Sequence, residues 1–396
     1  MALRQNLENA LNAGQGILHM LPCWVPRSFA VPGRRLRLAE DDLYAMGLNR
    51  GGLDERWLCS TTQPANGPDM ERDEGLSFVL APDGQRFTLK DAVDEHSAAL
   101  IGAAMFQKYG RWPTLGKLFD NQGPLPYHLH PDAEHAAQVG EVHKPEAYYF
   151  PPQYNARLND FPYTFFGLEP GTTKEDVRRC LERWDTGDNG ILAFTKAYVF
   201  PVGTGWFTPP GVLHAPGSLV TYEIQWGTDT FAMFQSVVQG KTVPFDMLVK
   251  DVPADKKRDL DYVMGLIDWD ANILPNLKDT YSLPGKAAAS GDGWADKWVI
   301  YGHSRGEDVF SAKELTVLPG AAVTIRESGA CGVIAVQGRG KIGPHPVETP
   351  TYIRYGQPTL DEYFVTYEAA AAGYTVVNNG SEPLVLLRHF GPDCQA

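Results

Sequence analysis

Short runs of apolar residues, alternating with polar ones and broken by Gly, Asn or Pro, recur along most of this chain. A two-residue period of that kind marks strands with one buried face. The pattern is clearest near the C-terminus, in KWVIYGH, ELTVLPG, AVTIRES, GVIAVQGRGKIG, DEYFVTY, GYTVVNNG and PLVLLRHF. A related set precedes it: ILAFTKAYVF, GWFTPP, SLVTYEIQW and FAMFQSVV. Helical periodicity interrupts the strands at 90–109, at Thr172–Trp184 and at 253–268. The second of these opens on Thr172 and Glu175, spaced as a capping box. The first residues, MALRQNLENALNAGQG, predict a short amphipathic helix. A stretch at 275–292, polar and rich in small residues (PGKAAASGDG), reads as a linker. The expected architecture is mainly β: two jelly-roll barrels with inserted helices, the first over 1–280 and the second over 281–396.

Composition narrows the function classes. The 396 residues include 30 Pro and 40 Gly, so the chain turns often, as all-β proteins do. A net charge of −13 argues against a nucleic-acid surface. Cys23, Cys59, Cys180, Cys331 and Cys394 are scattered, odd in number and without CxxC spacing, which excludes a disulfide framework and a thiolate metal site. A reducing cytoplasm fits that usage. The N-terminal segment lacks the basic-then-apolar order of a signal peptide, and no apolar run approaches the ~20 residues of a membrane span.

The chemistry is concentrated in four residues. His128 and His130, in PLPYHLHPD, are two apart, so on a strand both side chains face the same way. Glu146 follows in HKPE, and His214 follows a turn written Gly203-x5-Pro209-x-Gly211-x2-His214. Three imidazoles and one carboxylate suit one divalent metal ion, with zinc first and Mn, Fe or Ni as alternatives. His135 and His143 lie nearby but off the His-x-His face, and His19, His96, His303, His345 and His389 have no ligand-like spacing. Two groups near the ligands have a tunable pKa suited to proton transfer: Lys144, two residues before Glu146, and Glu223. In SLVTYEIQW, Thr221, Glu223 and Gln225 share one strand face, either lining a cavity or facing solvent. Aromatic residues crowd the same region, among them Tyr127, Tyr148, Tyr149 and Trp206; each serves a sugar-binding cleft or, more commonly, a core.

These motifs resemble the cupin superfamily, and HKPE followed by the PxGxxHA turn resembles the phosphomannose isomerases within it. The similarity in order and spacing runs over roughly 50–240, beginning with Glu55-Arg56-Trp57 and Ser60. It implies a metal held by His128, His130, Glu146 and His214, with Lys117 in a substrate-binding position beside Tyr127 and Gln225. It also implies a second, metal-free barrel. The chain departs from the pattern at four places: His128 stands where the family has glutamine, Ser218 where cupins often have asparagine, Pro126 where the family has a phosphate-binding serine, and Ala232 where it has an arginine. Loss of a hydroxyl and a guanidinium argues against a phosphorylated substrate. The resulting expectation is a metal-dependent aldose–ketose isomerase acting on a free or derivatised sugar, with a small carbohydrate as partner and a homo-oligomer admitted. The alternatives are another cupin reaction, dioxygenase or epimerase-like, and a sugar-binding or regulatory protein without turnover.

Overall fold

The computed structural model describes residues 2–157, 161–304 and 306–396. It is mainly β, and its larger sheets are antiparallel. A five-stranded sheet orders Thr195–Val199, Tyr163–Leu168, His214–Ala215, His128–Leu129 and Ala232–Met233. A seven-stranded sheet orders Ser282–Leu283, Gly205–Thr208, Glu146–Tyr149, Thr221–Trp226, Thr114–Phe119, Gly52–Leu58 and Cys23–Arg27. A second seven-stranded sheet orders Ile17–His19, Glu362–Val365, Cys331–Gln337, Leu384–Phe390, Ser311–Val317, Trp294–Ile300 and Lys286–Gly291. A four-stranded sheet of Ala322–Ile325, Tyr374–Val377, Arg339–Ile342 and His345–Glu348 packs on it.

Strand alternation explains how these sheets stack. Along Thr221–Trp226, Tyr222, Ile224 and Trp226 join Leu118, Ala147 and Tyr149 in one apolar layer, closed from the other side by Ala312, Ile334, Val385 and Leu387. The two seven-stranded sheets therefore pack face to face. His389 sits in that interface, its Nδ1 3.0 Å from the Tyr222 hydroxyl. A Cβ at Gly116 or Gly332 would come within 2.7 or 2.1 Å of its ring, so both positions need glycine to admit it. The next residue along each strand faces the other way: Thr221, Glu223 and Gln225 are buried beneath the five-stranded sheet, on an interior face and not a solvent face. Behind the five-stranded sheet, Tyr127 and Leu129 pack with Val177, Leu181 and Val263 of the inserted helices.

Several elements differ from expectation. The helix is Lys174–Glu182, and its capping box is Thr173 with Asp176, one residue later than expected. The 90–109 stretch is two helices, Leu89–Ile101 and Ala103–Tyr109, divided at Gly102. The third helix shortens to Leu260–Gly265, preceded by a turn of 3-10 helix. The expected linker holds the helix Leu277–Tyr281 and the exposed edge strand Lys286–Gly291. Two short strands cross position 280: Ile17–His19 pairs with Glu362–Val365 in the sheet built from the C-terminal part of the chain, and Ser282–Leu283 pairs with Gly205–Trp206.

Candidate metal centre and active site

His214 lies directly opposite His128 in the antiparallel ladder, and His130 follows two residues along. Paired positions share a face, so three imidazoles converge, with ring centroids 4.3 to 5.2 Å apart. Their ligand atoms lie within 4.8 Å of one another, which lets the three histidines bind one metal ion. The turn before His214 fixes its approach: Gly211 adopts φ +81°, its N–H donates to the His130 carbonyl, and its carbonyl accepts from the Asn272 side chain. A Cβ there would meet Asp268 at 3.0 Å. Across the interlayer space, Glu146 projects from the seven-stranded sheet, with Oε2 3.0 Å from His130 Nε2 and Oε1 2.9 Å from His214 Nε2.

Each imidazole is oriented by its other nitrogen. His128, His130 and His214 place Nδ1 2.6, 2.7 and 2.8 Å from the carbonyls of Pro126, Thr230 and Val212. A carbonyl only accepts, so each Nδ1 carries the proton and each Nε2 presents a lone pair. Two of these lone pairs then face carboxylate oxygens at hydrogen-bond distance with no proton between them. His214 Nε2 is buried without a hydrogen-bond partner. Lys144 Nζ bridges the His130 contact, but nothing bridges the one at His214, which repels itself unless a cation lies at the centre; a backbone carbonyl behind each imidazole is how proteins orient metal-ligating histidines. The donor set fits a divalent metal. Burial and the neighbouring imidazoles push the His128 pKa well down, and burial with Lys144 pushes His130 down to about 4, so both stay neutral and able to ligate. Burial opposes the charge on Glu146, but the Lys144 ammonium beside it outweighs that and holds the carboxyl ionised. The Tyr148 hydroxyl donates to Glu146 Oε1.

Charged groups continue away from the histidines in alternating sign. Lys144 Nζ lies 3.0 Å from Glu146, 3.3 Å from His130 Nε2 and 3.8 Å from Glu223. Lys117 lies 3.1 Å from Glu223. Arg27 lies 3.0 Å from both Glu55 and Asp229. Burial and then Glu146 push the Glu223 carboxyl up, Lys117 and Lys144 pull it back, and the carboxylates of Glu223 and Glu55 in turn overcome burial to keep Lys117 charged. Burial likewise opposes charge on Asp229, and Arg27 overrides it.

A recess of about 40 Å³ reaches this centre, lined by His128, His130, Lys117 and Lys144 together with the apolar Phe29, Leu125, Pro126, Phe231 and Met233. Of the residues expected at the site, Lys117, Lys144, His128 and His130 line the recess, while Glu146, His214 and Glu223 stand behind it. Tyr127 does not reach it. Its side chain points to the opposite face of the strand, and its hydroxyl donates to the Gly167 carbonyl 2.7 Å away. Gln225 shares the inner face but spends its amide on the carbonyls of Trp226 and Thr228, bracing the loop that carries Thr230. Ala232 turns toward the helices, and the flanking residues that line the recess, Phe231 and Met233, are both apolar. Arg27, Glu55, Asp229 and Tyr148 were missed as site residues. Tyr148 carried one signal, a polar group on a buried strand, and Glu55 another, a charge in the run Asp54-Glu55-Arg56 inside a strand buried throughout, whereas nothing in the local pattern marks Arg27 or Asp229.

Comparison with known proteins bears on the fold. No protein-family model matches the chain, and no curated protein matches it. Among solved structures, a protein provisionally described as a mannosephosphate isomerase from Archaeoglobus fulgidus superposes with a TM-score of 0.62 at 14% identity, covering 96% of this chain and 98% of its own. Mannose 6-phosphate isomerase from Bacillus subtilis gives 0.61 at 16% identity, covering 95% and 99%. A point mutant of phosphomannose isomerase from Salmonella typhimurium gives 0.60 at 12% identity, covering 95% and 100%. The chain thus has a phosphomannose isomerase-like, cupin-like fold over nearly its whole length. No helix among the described residues is long and apolar enough to cross a membrane.

Proposed function

We propose that this protein is a metal-dependent aldose–ketose isomerase whose substrate is a free or derivatised sugar and not a sugar phosphate. The observation that carries the reading is the set of three backbone-oriented imidazoles turned on Glu146, with Lys144 beside them on the recess wall. The fold, shared with sugar-phosphate isomerases over the full chain length, supports the same class. His128, His130, His214 and Glu146 would hold one divalent ion, zinc first among the candidates, which when bound supplies Lewis acidity toward a carbonyl and its neighbouring hydroxyl.

Aldose–ketose interconversion moves a proton between adjacent carbons, and the group that moves it must reach the substrate. Lys144 lines the recess and is placed to hold or deliver that proton. Glu223, one layer behind, lies beside both Lys144 and Lys117 and acts on them as a positioning residue.

Charge supports a neutral substrate. Each cation at the recess is already paired: Arg27 with Glu55 and Asp229, Lys117 with Glu223, Lys144 with Glu146. Phosphate recognition needs uncommitted donors, arginine above all, and here Pro126, Phe231 and Met233 line the recess. The test is elemental analysis followed by a screen of the metal-reconstituted protein against free and phosphorylated aldoses and ketoses. Turnover of a free sugar, lost on chelation, supports the reading. Turnover of phosphorylated hexoses alone overturns the free-sugar assignment, and bound metal with no sugar turnover overturns the isomerase.

A further inference from the structure

The recess at the histidines does not end at the surface. Arg27, Phe29 and Phe231 line it and also line an outer cleft of about 670 Å³, continued by Asn49, Met247 and Lys257. The two volumes differ in kind. A recess of 40 Å³ exceeds the ~10–15 Å³ needed for one water by only a few-fold, room for a few heavy atoms. The outer cleft falls within the ~300–1,000 Å³ typical of ligand pockets.

Taking the isomerase reading as its basis, the geometry points to a reducing oligosaccharide, disaccharide or longer, as the substrate. Isomerisation involves two carbons and their oxygens, which is what the recess can admit. The rest of a single hexose is a four-carbon tail that leaves most of the outer cleft empty. A second ring fills it. The rings at the junction suit that role. Lys250 Nζ stands 4.4 Å from the centroid of Phe231, and the Arg27 guanidinium 6.0 Å from that of Phe29. Both rings line the recess and the cleft alike, and the surface they present there is an apolar one for the C–H face of a sugar. Beyond them the lining becomes polar and mixed in charge, with Asn49, Asp246 and Lys257, as a hydroxylated, uncharged ring requires. With C1 and C2 in the recess, the glycosidic bond must leave from C4 or C6, since C3 adjoins the reacting pair. The extension takes no part in proton transfer. It contributes binding and holds the reducing end in place.

The full chain, reconstituted with metal, should be assayed with glucose and mannose and with maltose, cellobiose, isomaltose and 4-O-mannosyl-mannose, following ketose formation. At least one disaccharide is expected to exceed its own monosaccharide in kcat/KM by about tenfold, the scale of one well-packed ring contact. Met247→Trp, which narrows the outer cleft, and Phe231→Ala, which removes the junction ring, should each bring that ratio toward one. Monosaccharides turned over as well as every disaccharide would overturn the proposal while leaving the isomerase in place. If no sugar turns over, the isomerase reading falls and calorimetry decides the cleft. Disaccharide binding about tenfold tighter than monosaccharide, weakened by Met247→Trp, would uphold it, and equal or absent binding would sink it.

Discussion

Removing one imidazole tests the centre most directly. His130→Ala deletes a ligand whose ring is locked by the Thr230 carbonyl. Metal content after dialysis should fall to near background, and a variant that keeps full occupancy would overturn the ligand assignment. Tyr148→Phe is subtler. It leaves every ligand in place and takes only the hydroxyl that donates to Glu146. Partners of this kind tune metal affinity by about 10–100-fold, so a competing chelator should strip this variant at correspondingly lower concentration. Away from the metal, Glu362 carries a pH dependence. Burial raises its carboxyl to about 7 in spite of Arg56 Nη2 3.0 Å away. A carboxyl protonated in the folded chain and ionised in the unfolded one adds stability below its unfolded pKa, and that contribution is lost as pH rises through the folded value. From pH 4.5 to 7 it should cost up to about 3 kcal/mol, and Glu362→Gln should flatten that part of a Tm-against-pH curve. At this scale the histidine cluster was legible because a period of two puts His128 and His130 on one face. Tyr127 was not, since the same period sends it to the other face, and Gln225 was not, since a spacing cannot show that an amide is already spent on nearby carbonyls.

Elements were legible where packing gives them one buried face. The strand around Glu223 alternates because one side meets the apolar layer and the other a polar interior, whereas Leu384–Phe390 carries a near-continuous apolar run because Val385 and Leu387 face one core and Leu384, Leu386 and Phe390 the other. Lys286–Gly291 was read as a linker for the opposite reason: this edge strand is exposed at all six residues, so nothing imposes an apolar period on it. The inserted helix shows how finely caps are set. Thr172 with Glu175 and Thr173 with Asp176 have the same spacing, and the structure uses the second pair, with Thr173 Oγ1 accepting from Asp176 N and Asp176 Oδ2 accepting from Thr173 N. Thr173→Ala should therefore lower stability by about 1 kcal/mol in denaturant titration, whereas Thr172→Ala should have little effect.

For the molecule as a whole, the two seven-stranded sheets share one apolar layer, and the second is not complete from a contiguous stretch of chain. A fragment of 281–396 would expose Ala312, Ile334, Val385 and Leu387 and would lack the Ile17–His19 strand. It should express as an insoluble or poorly structured product, and dispersed amide resonances from the isolated fragment would contradict this. The sequence suggested a second jelly roll from its turn rhythm, but it held no sign that the first strand belongs to the last sheet, because pairing partners far apart in sequence leave no local period.

That exchange has a consequence for how the protein is made. The Ile17–His19 strand leaves the ribosome about 340 residues ahead of its partner, Glu362–Val365. At roughly 5–20 residues per second the early strand waits about 20–70 s for its place in the sheet. The nascent chain must carry an unmatched strand while the whole intervening segment is made, and the cluster of His128, His130, Glu146 and His214 can assemble while that strand is still unpaired.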